Sequence, residues 1–193
     1  MHVGIEGDVP GDARAWHERG VSHALSNSSR DAGQPVDVRI RPAELEREGD
    51  IVLAVQRAGY AVEARLIGVA SLPPQHATAA DLHAEQIWVA EARDEIAGVL
   101  GVEDEAELVI ARLVVAPAHM RRGIGRTLAR HAIALAGDRA IRVGTAAANR
   151  PALDLYRSLG FQRVGQRTVG EDLAYVDLLR PAREAVQNCP GAA

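Results

Sequence analysis

Apolar and polar residues alternate from Val36 to Ile40, with Val36, Val38 and Ile40 set against Asp37 and Arg39, the period of a half-buried strand that Pro42 ends. The period then changes. From Ala43 to Ala70 the apolar positions Ile51, Val55, Val62, Leu66 and Val69 recur at helical intervals, and Gly59 marks a kink or a break between two helices. Pro73 and Pro74 stop that pattern, and Thr78 followed by Asp81 reads as a capping box opening a short helix to about Ala84. Ile87 to Ala92 and Ile96 to Val102 are strands joined by a turn at Arg93, Asp94 and Glu95, and a second turn at Glu103 to Glu105 leads into Glu107 to Ala116, giving an antiparallel meander.

The apolar run through Val109, Ile110, Leu113, Val114 and Val115 stops at Pro117, and apolar positions resume at helical spacing with Ile124, Leu128, Ala132 and Leu135. A strand here delivers a loop into a helix. Ala140 to Gly144 is a short strand, Ala148 to Leu159 a helix stopped by Gly160, Phe161 to Val164 the start of a strand, and Ala174 to Leu179 the last one. The order βααβββαβαββ predicts an α/β fold with a mixed, mostly antiparallel central sheet flanked by helices. Residues 1–35, rich in Gly, Ser and Asp with Trp16 as their aromatic, read as an N-terminal tail, residues 36–181 as one domain, and residues 182–193 as a C-terminal tail.

Composition narrows the function classes. The net charge is -4 and its 22 cations, all arginine, are spread along the 193-residue chain, so nucleic acid is not the expected partner. The lone cysteine, Cys189, permits neither an internal disulfide nor a cysteine metal site and fits a reducing cytoplasm. No leader-like apolar segment opens the sequence and no stretch approaches the length of a membrane span, so neither export nor membrane insertion is expected. The seven histidines include no HExxH and no i, i+4 pair, so no metal site is expected. His119 is expected to be a solvated loop residue within reach of a bound phosphate, and His131 to lie on the exposed face of the central helix.

Candidate chemistry gathers at LVVAPAHMRRGIGR, Leu113 to Arg126. Unpaired N–H groups at the helix start lie beside Arg121, Arg122 and Arg126, with Gly123 and Gly125 leaving room for close approach, which suits a phosphate or pyrophosphate. Two competing phosphate motifs fail on residues: a P-loop requires lysine, and a dinucleotide fingerprint requires glycine where Leu128 stands.

The RRGIG of Arg121 to Gly125 after a strand, together with NRPALDLYRSLGF from Asn149 to Phe161, resembles the GNAT superfamily of N-acyltransferases over about Val36 to Pro181. The first segment is similar to the family's acyl-CoA signature, Gln/Arg-x-x-Gly-x-Gly/Ala, except that Met120 occupies the Gln/Arg position. The second matches Asn-x-x-Ala-x-x-x-Tyr-x-x-x-Gly-Phe at Asn149, Ala152, Tyr156, Gly160 and Phe161. The resemblance implies acetyl-CoA as co-substrate and an amine-bearing acceptor. It implies that the backbone of Leu113, Val114 and Val115 pairs with pantetheine, and that Met120, Arg121, Arg122, Gly123, Ile124, Gly125 and Arg126 bind pyrophosphate. Asn149 would hold pantetheine or neighbouring backbone, and Tyr156 would sit near the thioester sulfur. Dimers are common among members, so a homodimer is one open state for this chain.

Some relatives carry a basic glutamate where this chain has Gly144 or Val109, so Glu107, two residues before Val109, is the candidate base, with Tyr60 and Glu63 as candidates for acceptor recognition. A phenol near pKa 10 is a weaker acid than a thiol near 8.5, so complete proton donation from Tyr156 to the leaving thiolate is uphill by roughly 2 kcal/mol unless the site lowers the phenol pKa. Two readings compete with an acetyltransferase: a GNAT-fold module that binds acyl-CoA without turnover, and an interaction domain using the acidic segment Glu103 to Glu107.

Overall fold

The computed structural model describes residues 37–169 and 173–183. The N-terminal tail reading, with Trp16, and Val36 lie outside the described residues, as does the C-terminal tail reading beyond Arg183. In chain order the elements are β1 (Arg39–Pro42), α1 (Leu45–Ile67), a 3-10 turn (Pro73–His76), α2 (Ala79–His83), β2 (Gln86–Ala92), β3 (Glu95–Asp104) and β4 (Leu108–Val115). A second 3-10 turn (Pro117–His119) leads to α3 (Ile124–Ala136), β5 (Ile141–Ala146), α4 (Arg150–Ser158), β6 (Gln162–Val169) and β7 (Leu173–Arg180). This is the order expected from the hydrophobic pattern. The strands form one seven-stranded sheet, β1-β2-β3-β4-β5-β7-β6, in which β4 and β5 are parallel and the other neighbours antiparallel.

Alternation along the strands divides the core in two. Ile87 and Val89 of β2, Val99 of β3 and Val114 of β4 pack with Val52, Leu53, Val55, Tyr60 and Ala64 of α1 and Leu82 of α2. Ala90, Ala92, Leu100, Leu108 and Ile110 point the other way and pack with Ile124, Leu128 and Ala132 of α3 and Tyr156 of α4. Helices therefore cover both faces, as the strand periodicity requires. The β2–β3 hairpin turns on Arg93 and Asp94, both with positive φ (53° and 63°), the backbone that matches the twist of the flanking strands.

One expectation fails at Gly59. The chain does not break there; α1 is a single helix of 23 residues that ends at Gly68 in the left-handed conformation. Gly59 is buried because α1 rides directly on β4: a Cβ at Gly59 would stand 2.1 Å from Val114 Cγ2 and 2.9 Å from the Val115 carbonyl oxygen. A glycine inside a helical pattern reads as a breaker until the strand it touches, more than fifty positions later, is known.

His131 also differs from expectation. It is half-buried, its ring centroid lies 4.4 Å from that of Trp88 in an edge arrangement, and its Nε2 is buried without a partner among the described residues, with burial pushing its pKa down. Among the described residues no helix is long and apolar enough to cross a membrane.

Gly59→Ala tests the close approach. Alanine adds up to about 1 kcal/mol of helix propensity, but the clash with Val114 and the Val115 carbonyl should outweigh it and lower the unfolding free energy by about 1–3 kcal/mol, as overpacking does. Urea unfolding checks this; a more stable variant would mean that α1 and β4 separate freely.

Candidate active site

The site begins where β4 and β5 part. The two strands pair only at Leu108↔Ile141, Val109↔Arg142 and Ile110↔Val143. Beyond that, β4 stays with β3 and β5 stays with β7. The β3–β4 register shifts at Gly101/Val102, so Ala111 is a bulged residue at the point of separation. Past the bulge, the Ala116 N–H donates to the Ala97 carbonyl at 2.9 Å and Val114 faces Val99, which fixes Ala116 and Val114 as the positions bonded to β3. By alternation the N–H and C=O groups of Leu113 and Val115 point into the opening. A strand edge with two residues' worth of unused hydrogen-bonding groups is thus left inside the sheet.

The chain leaving β4 builds the other wall. The Met120 N–H donates to the Pro117 carbonyl at 3.3 Å, so this amide is engaged in the 3-10 turn. Arg121 and Gly123 have φ of 65° and 84°, and Arg121 in the left-handed region is a local strain of order 1 kcal/mol. Helix α3 starts at Ile124 with Gly123 as its cap residue, no capping side chain and no acidic residue in its first turn. Its first intrahelical bond runs from the Thr127 N–H to the Gly123 carbonyl, which leaves the N–H groups of Ile124, Gly125 and Arg126 directed out of the helix end. Arg121 is exposed and Arg122 and Arg126 are half-exposed, so cations surround an uncapped, partially positive terminus. Among the described residues nothing lies within 4 Å of a Cβ built at Gly123.

Across the opening stands α4. Asn149 caps it, its Oδ1 accepting the Ala152 N–H at 3.1 Å, and its side chain also hydrogen bonds to the Glu63 carboxylate of α1. The cap bond assigns the oxygen of the amide, so the NH₂ is the donor to Glu63. Residues from helices on opposite faces of the sheet meet here because β4 and β5 have separated. Glu63 is half-buried, and burial pushes its carboxyl above the ordinary range, partly offset by the Asn149 bond. Tyr156 is 4 % exposed and edge-on to Phe161 at 5.3 Å. Burial, reinforced by the charge of Glu63, pushes its phenol pKa up. The Tyr60 and Tyr175 phenols are raised for the same two reasons in the same order.

The remaining candidates fall elsewhere. Glu107 pairs with Arg142 at 2.5 Å, beyond the paired stretch of β4 and β5 and roughly 20 Å along the strand from Leu113 at about 3.3 Å per residue. His119 is buried rather than solvated; its Nε2 lies 3.2 Å from Glu95 Oε2 and its Nδ1 has no partner among the described residues. Unforeseen in the sequence was a buried cluster beside the bulge. Arg112 donates to both carboxylate oxygens of Glu85, through Nε at 2.7 Å to Oε2, and through Nη1 at 2.6 Å to the amide oxygen of Gln56, whose Nε2 donates to the Pro74 carbonyl at 2.6 Å. Gly101 leaves room for it, since a Cβ there would stand 2.0 Å from Glu85 Oε2. The signal available was Arg112 itself, a cation amid the apolar residues of β4. Beyond this cluster, a cleft of about 1020 Å³ lies between the segment after α1 (Ile67, Val69, Ser71, Pro73, His76), the β5–α4 turn (Ala147, Ala148) and the ends of β6 and β7.

Residues 83–163 match the acetyltransferase (GNAT) domain family. A stretch of 127 residues, 64% of this chain and 36% of the relative, is 36% identical to the UPF0157 protein YqkA of Bacillus subtilis. The N-alpha-acetyltransferase RimI of Mycobacterium tuberculosis is 41% identical over 68 residues, covering 35% of this chain and 43% of that protein. The chain thus spans about two fifths of the length of the curated relatives it matches. In fold it is similar to yncA of Salmonella typhimurium, a structure described as an acetyltransferase with its cofactor acetyl-CoA, at a TM-score of 0.60 and 18% identity over 81% of this chain and 99% of that one.

The Arg112 cluster fixes the wall beside the bulge, and truncating one partner should reveal it. In Glu85→Ala the guanidinium is left buried without its countercharge, for which a loss of about 3–5 kcal/mol in unfolding free energy is expected. Chemical denaturation measures it; a loss below about 0.5 kcal/mol would place Arg112 in contact with solvent.

Proposed function

Because residues 83–163 carry a GNAT acetyltransferase domain, we propose that the chain transfers an acetyl group from acetyl-CoA to a primary amine by direct attack on the thioester. The observation that carries the reading is the unpaired edge of β4 ending in an uncapped, arginine-flanked helix terminus. An extended amide-bearing arm fits the free N–H and C=O groups of Leu113 and Val115, and a pyrophosphate fits the amides of Ile124, Gly125 and Arg126 with Arg121 and Arg122 alongside. Val114 supports them from below by anchoring β4 to α1, and Met120 acts as a spacer, its own amide being engaged with Pro117.

In the reaction the amine attacks the carbonyl carbon, negative charge develops on the carbonyl oxygen, and the carbon–sulfur bond breaks with the electron pair on sulfur. The raised phenol pKa of Tyr156 supports hydrogen bonding over complete proton donation, a choice left open by its residue type. An ordinary phenol is already less acidic than a thiol by about 1.5 units, and this site widens the gap. Tyr156 therefore donates a hydrogen bond to the leaving sulfur and keeps its proton, while water supplies the proton that forms the thiol. Glu107, held by Arg142 away from the opening, contributes to strand pairing in this reading. A module that only binds acyl-CoA is the second reading; the meeting of Glu63, Asn149 and Tyr156 at the opening favours turnover.

Isothermal calorimetry with acetyl-CoA should give one saturable site per chain, weakened severalfold or more when Arg121 and Arg122 are both replaced by alanine; absence of binding at millimolar ligand contradicts the reading. Tyr156→Phe should keep acetyl-CoA affinity and lower kcat by about 10²-fold, the scale of a lost hydrogen bond to developing charge. Because the phenol stays protonated, the alkaline side of the pH profile should be unchanged in this variant. A Phe variant with wild-type kcat would leave Tyr156 a packing residue.

A further inference from the structure

Glu63 and Asn149 join two features of the molecule. Glu63 lies one helical turn before Ile67 on the same face of α1, and Ile67 lines the 1020 Å³ cleft. Asn149 follows Ala147 and Ala148, which line the opposite wall, and Tyr175 follows Ala174 of the same lining. Glu63 and Asn149 are thus each next, along their own segments, to residues that form opposite walls of the cleft. The groups that interact with Glu63 are Tyr60 on its own helix, Asn149 and Tyr156 of α4, and Tyr175 of β7, whose ring lies 5.2 Å from the guanidinium of Arg167. Among the described residues no arginine pairs with it. The other carboxylates near the sheet centre are committed: Glu85 to Arg112, Asp177 to Arg167, Glu107 to Arg142, and Glu48 and Glu91 to Arg41.

We propose that the Glu63 carboxylate is the general base of the acetyl transfer, receiving the proton of an acceptor amine that reaches the opening through this cleft. The inference rests on the acetyltransferase reading and assigns a step within it. The acceptor arrives as an alkylammonium ion, of which only about one molecule in a thousand is neutral at pH 7 for a pKa near 10. One proton passes to Glu63, and the freed lone pair forms the carbon–nitrogen bond. The carbon–sulfur bond then breaks with its electron pair on sulfur, where Tyr156 donates its hydrogen bond. The second proton on nitrogen reaches the thiolate through water, giving amide and free thiol, and Glu63 returns its proton to solvent. Its partial burial, with an uncharged amide as its partner, strengthens it as a base. The Asn149 amide, itself held by the bond its oxygen accepts from the Ala152 N–H, gives the carboxylate a fixed neutral partner.

The test uses the full chain with acetyl-CoA and the best acceptor from an amine panel, comparing wild type with Glu63→Gln and Glu63→Asp. Acetyl-CoA affinity is read by calorimetry, and kcat/KM is read from pH 5 to pH 10. Glu63→Gln should bind acetyl-CoA within about twofold of wild type, lose about 10²–10³-fold in kcat/KM and lose the acidic limb of the profile. Glu63→Asp should retain that limb with its midpoint moved to lower pH, following the greater acidity of aspartate, and this variant decides the matter should the glutamine chain fail to fold. Wild-type kcat/KM in Glu63→Gln, or an acidic limb unmoved in Glu63→Asp, overturns the assignment while leaving the acetyltransferase reading intact. A wild-type chain that binds no acetyl-CoA overturns both.

Discussion

Everything at the site depends on β4 and β5 sharing only three residue pairs before they part. A parallel pair inside a sheet ordinarily continues, because each unpaired N–H and C=O left in a protein interior carries a desolvation cost. Here β4 is committed elsewhere. The bulge at Ala111 bends it, β3 holds its far edge, and α1 presses on Val114 at the one helix position, Gly59, that has no side chain. β5 is held along its length by β7. With both strands fixed from outside, the space between them stays open, and the backbone groups of Leu113 and Val115 remain available to a ligand.

The opening also accounts for how polar groups from opposite faces come to share one place. A continuous sheet would separate Glu63 of α1 from Asn149 and Tyr156 of α4; the gap lets them meet. The flanking polar contacts fix position. Arg112, Glu85 and Gln56 bind β4, the start of β2 and α1 into one unit beside the bulge, and burial of this kind sets register more than it adds net stability. At the other end of α1, Arg41 clasps Glu48 at 2.6 Å and Glu91 at 3.2 Å, and the guanidinium holds the Glu48 carboxyl down at about 2. That contribution is present above the ordinary carboxylate pKa and fades only as pH falls towards 2.

The order of elements, the meander and the strand-loop-helix of β4 and α3 were legible in the sequence, because hydrophobic period and the Gly and Pro punctuation are local signals. The resemblance gave Asn149 the task of holding pantetheine or neighbouring backbone; the structure shows it capping its own helix, for which its place before a Pro-initiated helix was the local signal. What failed were features decided by a partner far along the chain. Gly59 looked like a break because Val114 was not yet beside it. His119 and His131 looked solvated because Glu95 and Trp88 were not yet packed on them. The pairing of Glu107 with Arg142, its neighbour on the parallel strand, likewise had no local signal. Glu63 carried no motif at all; its environment is made by Asn149 and three tyrosines from three elements.

Amide hydrogen exchange with and without CoA reads the opening directly. If the parted strands seat the acyl carrier, CoA should slow exchange at the amides of Leu113 and Val115, which face the gap, and at Ile124, Gly125 and Arg126, which leave the end of α3, while Val114, already bonded to β3, changes little. CoA that binds yet leaves those five amides at their free exchange rates would contradict the assignment of the gap as the acyl-CoA seat.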